Sequence, residues 1–323
     1  MPSEFDLIQR FFTRPALAGA SGTVLGVGDD AALLQVTPGK LLAVSSDMLV
    51  AGRHFLPDAD PYLLGHKTLA VNLSDLAAMG AMPRWATLAL ALPAVDEAWL
   101  EAFSRGFFDL ANRFDVSLVG GDTTRGPLNL CVTIFGETHA QPLRRDAARD
   151  GDAIWVSGDL GGAALGLAHL LGEVGLEDQD AAACLMRLHR PEPRVALGLA
   201  LAQLSGMAAI DISDGFLADL GHILERSGVG AEIELARLPA HPAVAALLPE
   251  SALARRCLLA GGDDYELCFT APPQSDEAVR AAGLATGVAL SRVGRISAQS
   301  GLRVIGLDGL PLNIEERGFD HFA

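Results

Sequence analysis

Lysine is almost missing from this 323-residue chain: only Lys40 and Lys67 are present, and 40 acidic residues outweigh 24 basic ones to give a formal net charge of −16. A chain this acidic lacks the basic surface that a nucleic acid or an anionic membrane requires, so neither is expected as a partner. No apolar run reaches the roughly 18 residues that a membrane span needs, and the most apolar stretch, 85–95, is too short. Residues 1–14 include Glu4 and Asp6 and show no basic segment ahead of an apolar one, so no signal peptide is read there. Cys131, Cys184, Cys257 and Cys268 form no C-x-x-C pair and sit in apolar neighbourhoods. They are expected to be reduced core thiols of a cytoplasmic protein rather than zinc ligands or disulfides. A Walker A motif is also missing, since neither lysine fits G-x-x-x-x-G-K-[ST], and so is the protein-kinase signature set.

Half the residues are hydrophobic, enough for two cores, and the length suggests about two domains. The charged segment 144–152 marks a boundary, giving domains at 1–148 and 149–323. Apolar periodicity predicts helices over 62–79, 96–113, 160–171, 181–188, 194–204 and 216–227. Strands are predicted over 32–36, 41–45, 85–92, 116–119, 128–135, 153–157, 208–212, 231–235, 265–270, 291–296 and 302–305. The mixed order within each half predicts two α+β domains.

The chemical signal lies in the aspartates. Asp30, Asp47, Asp122 and Asp211 follow apolar or glycine-rich runs, Asp214 lies just beyond Ile212-Ser213, and Asp263-Asp264 follow Gly261-Gly262. Asp75 lies inside the helix 62–79, three residues after Asn72, so both face one side. Gly-Asp is first of all a turn dipeptide, and Gly151-Asp152 and Asp308-Gly309 are read as turns. Ser213 or Asp214 equally suits a helix cap. For the rest, converging carboxylates repel by about 4 kcal/mol per pair at roughly 4 Å and an effective dielectric near 20. Divalent cations remove that cost. Oxygen-only donors, here carboxylates with the hydroxyls of Ser45, Ser46 and Ser213, favour Mg²⁺ over zinc or copper. Mg²⁺ seldom sits in an all-protein cage and usually bridges to substrate phosphates, so several such sites point to phosphate chemistry. Gly120-Gly121, Gly261-Gly262 and Gly161-Gly162 offer backbone that a phosphate can approach closely. Arg125, Arg144 and Arg145 are candidates to supply the cation that a P-loop lysine supplies elsewhere.

Seven blocks stand in order along nearly the whole chain: GVGDDAALL (26–34), SSDMLV (45–50) with His54-Phe55, AVNLSDLAAMGA (70–81), GGDTTRGP (120–127), DISDG (211–215), GGDDYELCF (261–269) and GFDHF (318–322). Together they closely resemble the thiamine-monophosphate kinase family. The resemblance implies a two-domain aminoimidazole ribonucleotide synthetase-like α+β fold, with an N-terminal domain that binds ATP and magnesium and dimerises, and a C-terminal α+β domain. It implies phosphorylation of thiamine monophosphate by ATP and a homodimer. Carried over by position, Asp30, Ser45, Ser46, Asp47, Asp75, Asp122, Asp211 and Asp214 are the expected Mg²⁺ ligands. Asp47, Asp122 and Asp214 are expected to be central to catalysis. Gly121, Asp122, Arg145 and Ser213 are the expected ATP contacts. His54, Asp263 and Phe319 are expected to touch the thiamine phosphate. The family usually has Glu at the position of Asp263, whose carboxylate is withdrawn by one methylene. Sister enzymes of this fold that rely on an N-terminal or C-terminal cysteine are disfavoured, because the first cysteine is Cys131 and none follows Cys268. A non-catalytic nucleotide-binding regulator would have no need of so many carboxylates.

Overall fold

The computed structural model describes residues 3–14, 22–248, 250–312 and 318. It divides into two compact units, one formed by Met1–Leu76 with Ala81–Gln141, the other by Ala77–Gly80 with Pro142–Ala323.

The first unit opens with α1 (Glu4–Leu7), which runs on through a π-type turn, Ile8–Phe12, that buries Phe11 and Phe12. A small antiparallel pair, β1 (Thr23–Leu25) and β2 (Leu33–Leu34), follows. The main sheet holds β3 (Leu41–Val50), β4 (Met82–Leu92), β5 (Ser117–Arg125) and β6 (Asn129–Thr138) in the order β3-β6-β4-β5. Two helices accompany it, α2 (Pro61–Ala78) and α3 (Glu97–Arg113). Asp96 caps α3 by accepting the Trp99 N–H, and α3 buries Leu100, Phe103, Phe107 and Leu110 on one face. The expected helices match well here; β1 was not expected and β2 is shorter than the expected 32–36, but the strands of the main sheet run further than their apolar cores. β3 continues through Ser45-Ser46-Asp47 to Val50, and β5 through Gly120-Gly121-Asp122 to Arg125. Ladder bonding to β6 and β4 carries these polar segments as strand. Period-2 apolar counting cannot register that.

In the second unit a six-stranded sheet runs β12-β9-β11-β7-β10-β8. Its members are β7 (Ala153–Ser157), β8 (Ala208–Asp211), β9 (Gly230–Glu234), β10 (Leu267–Ala271), β11 (Leu290–Ser297) and β12 (Gly301–Ile305). All its pairings are antiparallel except β12 with β9. Around it lie α4 (Gly162–Leu170), α5 (Asp178–His189), α6 (Val195–Leu201), α7 (Phe216–Ser227), α8 (Pro242–Leu247), α9 (Ala252–Ala260) and α10 (Asp276–Thr286). Ile154, Val156 and Cys268 belong to the same buried cluster as Phe216, Leu220, Ile223, Leu258 and Val304. The alternating neighbours Trp155 and Phe269 stack on the opposite face, ring centroids 6.5 Å apart. Sequence periodicity missed α8, α9 and α10. The signals of the latter two are local: Ser251 accepts the Ala254 N–H to cap α9, and Gly287 closes α10 in the left-handed conformation. Gly151-Asp152 and Asp308-Gly309 are turns, the Asp152 N–H donating to the Arg149 carbonyl and the Gly309 N–H to that of Gly306. Among the described residues the cysteines are free; Cys184, Cys257 and Cys268 are buried, and no helix is long and apolar enough to cross a membrane.

Helices α2 and α3 cross at a reciprocal glycine contact. A Cβ on Gly65 would lie 2.1 Å from the Phe103 carbonyl oxygen, and one on Gly106 would lie 1.9 Å from that of Tyr62. Alanine at Gly106 gains about 1 kcal/mol of helix propensity. It also forces two backbones apart, and overpacking costs roughly 1–3 kcal/mol where the surroundings can yield. Gly106→Ala is therefore expected to lower the urea midpoint with an unchanged m-value; a midpoint equal to or above that of the parent would refute the close-crossing account.

Candidate functional site

In the first unit Ser45 and Asp47 of β3 meet Asn72 and Asp75 of α2, while among the described residues no contact brings Ser46, Asp30 or Asp122 into this group. The Ser45 hydroxyl donates to the Asp75 carboxylate. The Asp47 N–H donates to Asn72 Oδ1 at 3.2 Å, and Asn72 Nδ2 donates to the Thr68 carbonyl at 3.1 Å. Asn72 and Asp75 thus face one side of α2, as their three-residue spacing implied, and both reach β3. Ser45 and Asp47 share a face because they are two apart on a pleated strand. Ser46 leaves the opposite face, where its hydroxyl meets that of Thr133 at 2.9 Å and donates to the Val132 carbonyl at 3.2 Å. Asp122 is exposed on β5 beside Ala89 of β4. The neighbouring Gly121 has a specific reason: a Cβ there would sit 1.9 Å from the Leu88 carbonyl oxygen, and its φ is +147°. This glycine permits the close approach of β4. Asp30 is exposed between β1 and β2, its N–H donating to the Asp29 carboxylate at 2.9 Å. His54 lies just after β3, with Nδ1 accepting the Val50 N–H at 3.0 Å. The neutral ring therefore carries its proton on Nε2.

In the second unit two loops are laced together beyond the paired ends of β8 and β10. The Ile212 N–H donates to the Glu266 carbonyl, the Tyr265 N–H to that of Ile212, and the Asp263 N–H to that of Ser213, at 2.8, 2.8 and 2.9 Å. Asp263 and Tyr265 both hold positive φ, +68° and +50°, which few non-glycine residues adopt. The Tyr265 turn also delays β10 to Leu267, where periodicity had started the strand at 265. The Tyr265 hydroxyl donates to Asp263 Oδ1 at 3.1 Å. Asp211 is buried, while Ser213, Asp214 and Asp263 are half-buried. Arg145 is exposed, its carbonyl accepting the Ser227 hydroxyl at 2.9 Å, and Arg144 pairs with Asp146. Phe319 lies outside the described residues. Its neighbour Gly318 is packed so closely that a Cβ would come within 2.7 Å of the Asp214 carbonyl oxygen.

Three acidic residues organise this region: Asp264, which follows Gly261-Gly262 in the sequence, and Asp219 and Glu266, which stand in no expected site. Asp219 Oδ2 accepts the N–H groups of Ser213, Asp214 and Gly215 at 3.0, 3.1 and 3.1 Å. Helix α7 is thus capped from within its own first turn, and neither Ser213 nor Asp214 serves as its cap. Burial, then the nearby Asp214 charge, pushes the Asp219 carboxyl up to about 7. The available signal was an acid on the otherwise apolar stripe Phe216, Leu220, Ile223. Asp264 accepts the Gly161 N–H at 2.9 Å, so the start of α4 is answered by a carboxylate of the chain itself. Glu266, fully buried, accepts from Ser157 and from both Arg194 and Arg187, and Arg187 also reaches Asp159. Among the described residues no group of three or more His, Cys, Asp or Glu could hold a metal ion alone. What is present is carboxylates beside hydroxyl and amide oxygens, open to solvent at Asp30 and Asp122, which suits an ion completed by phosphate oxygens and water.

Fold and donor set together define a class: a two-unit α+β protein with oxygen donors on a strand–helix face and no P-loop. The sequence matches the AIR synthase related protein N-terminal domain over residues 28–138 and the corresponding C-terminal domain over 149–306. Thiamine-monophosphate kinase of Escherichia coli (strain K12) is 49% identical over 324 residues, spanning 99% of this chain and 98% of its own. The crystal structure of thiamine-monophosphate kinase from Stenotrophomonas maltophilia K279a superimposes with a TM-score of 0.83 at 48% identity, covering 90% of this chain and 93% of its own. A structure described as AaThiL complexed with AMPPCP and TMP superimposes at 0.78 with 31% identity, covering 89% of each. The chain belongs to the thiamine-monophosphate kinase family.

Glu266 gives this region a direct test. Removing one partner of a buried ion pair leaves the other uncompensated and costs about 3–5 kcal/mol. Glu266→Ala is expected to lose stability of that order in denaturant unfolding, whereas a loss under about 1 kcal/mol would show that the two arginines are solvated without it.

Proposed function

We propose that the chain transfers the γ-phosphoryl group of ATP to the phosphate of thiamine monophosphate, giving thiamine diphosphate and ADP by direct in-line displacement. The observation that carries this reading is the oxygen-donor face formed by Ser45, Asp47, Asn72 and Asp75, in a chain alike over nearly its whole length to thiamine-monophosphate kinases. The acceptor is a phosphate monoester with a second pKa near 6, mostly dianionic at neutral pH, so no general base is required. The obstacle is repulsion between two anions, and the catalytic work is positioning and charge neutralisation. Magnesium, when bound, supplies that neutralisation at the phosphate oxygens. Asp30, Ser45, Ser46, Asp47, Asp75, Asp122, Asp211 and Asp214 would hold it; the Ser46 hydroxyl faces Thr133, away from Ser45 and Asp47. Gly121, Asp122, Arg145 and Ser213 contact ATP in this reading. His54, Asp263 and Phe319 contact the thiamine phosphate in this reading. An aspartate at 263 suits a left-handed residue better than a glutamate, because Asp and Asn tolerate that region.

We further place the functional division at residues 1–148, for ATP, magnesium and dimerisation, and 149–323. The free, mostly buried cysteines fit a reducing cytoplasm. A homodimer is supported by edge strand β3, where Leu42, Val44 and Met48 are 44%, 55% and 53% exposed on one face.

Purified protein with Mg·ATP and thiamine monophosphate is expected to yield thiamine diphosphate, and chelation should abolish turnover. Asp47→Asn and Asp122→Asn should keep the fold and lose roughly 100-fold or more in kcat/KM. Absence of product from folded parent protein would overturn the activity, and near-parental rates in both variants would overturn the ligand assignment. Sedimentation is expected to find a dimer that Val44→Glu with Met48→Glu converts to monomer; a monomeric parent would remove the dimer from this reading.

A further inference from the structure

We infer that Asp219 is a positioning residue of this enzyme: its carboxylate holds the 211–215 turn in the shape from which Asp211, Ser213 and Asp214 act. The inference rests on the functional reading above for what the turn binds, and on geometry for the clamp. Three consecutive peptide N–H groups, those of Ser213, Asp214 and Gly215, converge on the single oxygen Asp219 Oδ2 at 3.0, 3.1 and 3.1 Å. Such a convergence is an anion-binding nest, here filled by the chain's own side chain. The Asp219 N–H in turn donates to the Gly215 carbonyl at 3.0 Å, closing the loop on itself. At 2% exposure Asp219 is shielded from water, which would otherwise compete for the amides.

Fixing three successive peptide planes fixes the directions in which Ser213 and Asp214 leave the chain. It also aims the Ser213 carbonyl, which receives the Asp263 N–H at 2.9 Å. One buried carboxylate therefore orders the turn of the proposed metal ligands directly and the Asp263 loop through it. Residues that orient ligand groups from behind typically change metal affinity or activity by about 10–100-fold when removed. Removing a simple helix cap would instead lower stability and leave metal dependence where it was.

Full-length Asp219→Ala and Asp219→Asn separate the two roles. The Asn carbonyl can still accept at the nest; the Ala variant cannot. In Asp219→Ala the amides of residues 213–215 are expected to exchange with solvent at least about tenfold faster. The Mg²⁺ concentration for half-maximal turnover should rise about tenfold or more, with KM for thiamine monophosphate moving far less. Asp219→Asn should recover most of both. Should the Ala variant not fold, Asp219→Leu, which keeps the branched outline of the side chain and removes the acceptor, takes its place. Unchanged exchange in the acceptor-less variant overturns the clamp, and an unchanged Mg²⁺ half-saturation overturns the positioning role. Lack of turnover by the parent would instead sink the functional reading, and exchange at residues 213–215 still decides the clamp.

Discussion

The second unit depends on a short run of backbone hydrogen bonds beyond the paired ends of β8 and β10. There the 211–215 turn and the 261–266 loop exchange N–H and carbonyl partners. This lacing holds Asp263 and Tyr265 at positive φ, a conformation that costs of order 1–3 kcal/mol per residue and persists only where the surroundings enforce it. The enforcement comes from below. Asp219 gathers three amides of one loop, while Glu266, held by Arg194 and Arg187, anchors the end of the other. Two buried acids, answered in different ways, thus set the backbone on which Asp211, Asp214 and Asp263 are carried. One is satisfied by peptide N–H groups and the other by guanidinium ions.

The first unit solves the same problem with a strand and a helix. Placing Ser45 and Asp47 on one face of β3 requires that the strand continue through a polar segment. Ladder bonds to β6 supply the continuity that composition does not. Asp75 then receives the Ser45 hydroxyl, and Asn72 takes the Asp47 amide. The Ser45 hydroxyl and the Asn72 amide thus tie the strand to the helix, and they set hydroxyl and amide oxygens beside the carboxylates.

Much of this was legible in the residues. The helical spacing of Asn72 and Asp75, the turns at Asp152 and Asp308 and the helix opening at Phe216 follow from local rules that act over a few residues. The glycines were legible as positions but not as causes. Gly121 reads as loop chemistry in one dimension, and only the Leu88 carbonyl shows that a neighbouring strand excludes a side chain there. Gly161 reads as an anion seat, and the structure assigns its N–H to Asp264.

With only two lysines and no P-loop, the sequence by itself pointed to phosphate chemistry run by carboxylates, and showed in which ordered blocks they stand. Composition and motif spacing are properties of the chain alone. Tertiary structure decided which acids are ligand candidates and which are supports. Asp214 and Asp219 lie five residues apart and look alike in a sequence. One is half-buried at the surface of the turn, and the other is sealed beneath it against three N–H groups. That distinction is made by burial and by partners contributed from folding, which no count of aspartates contains.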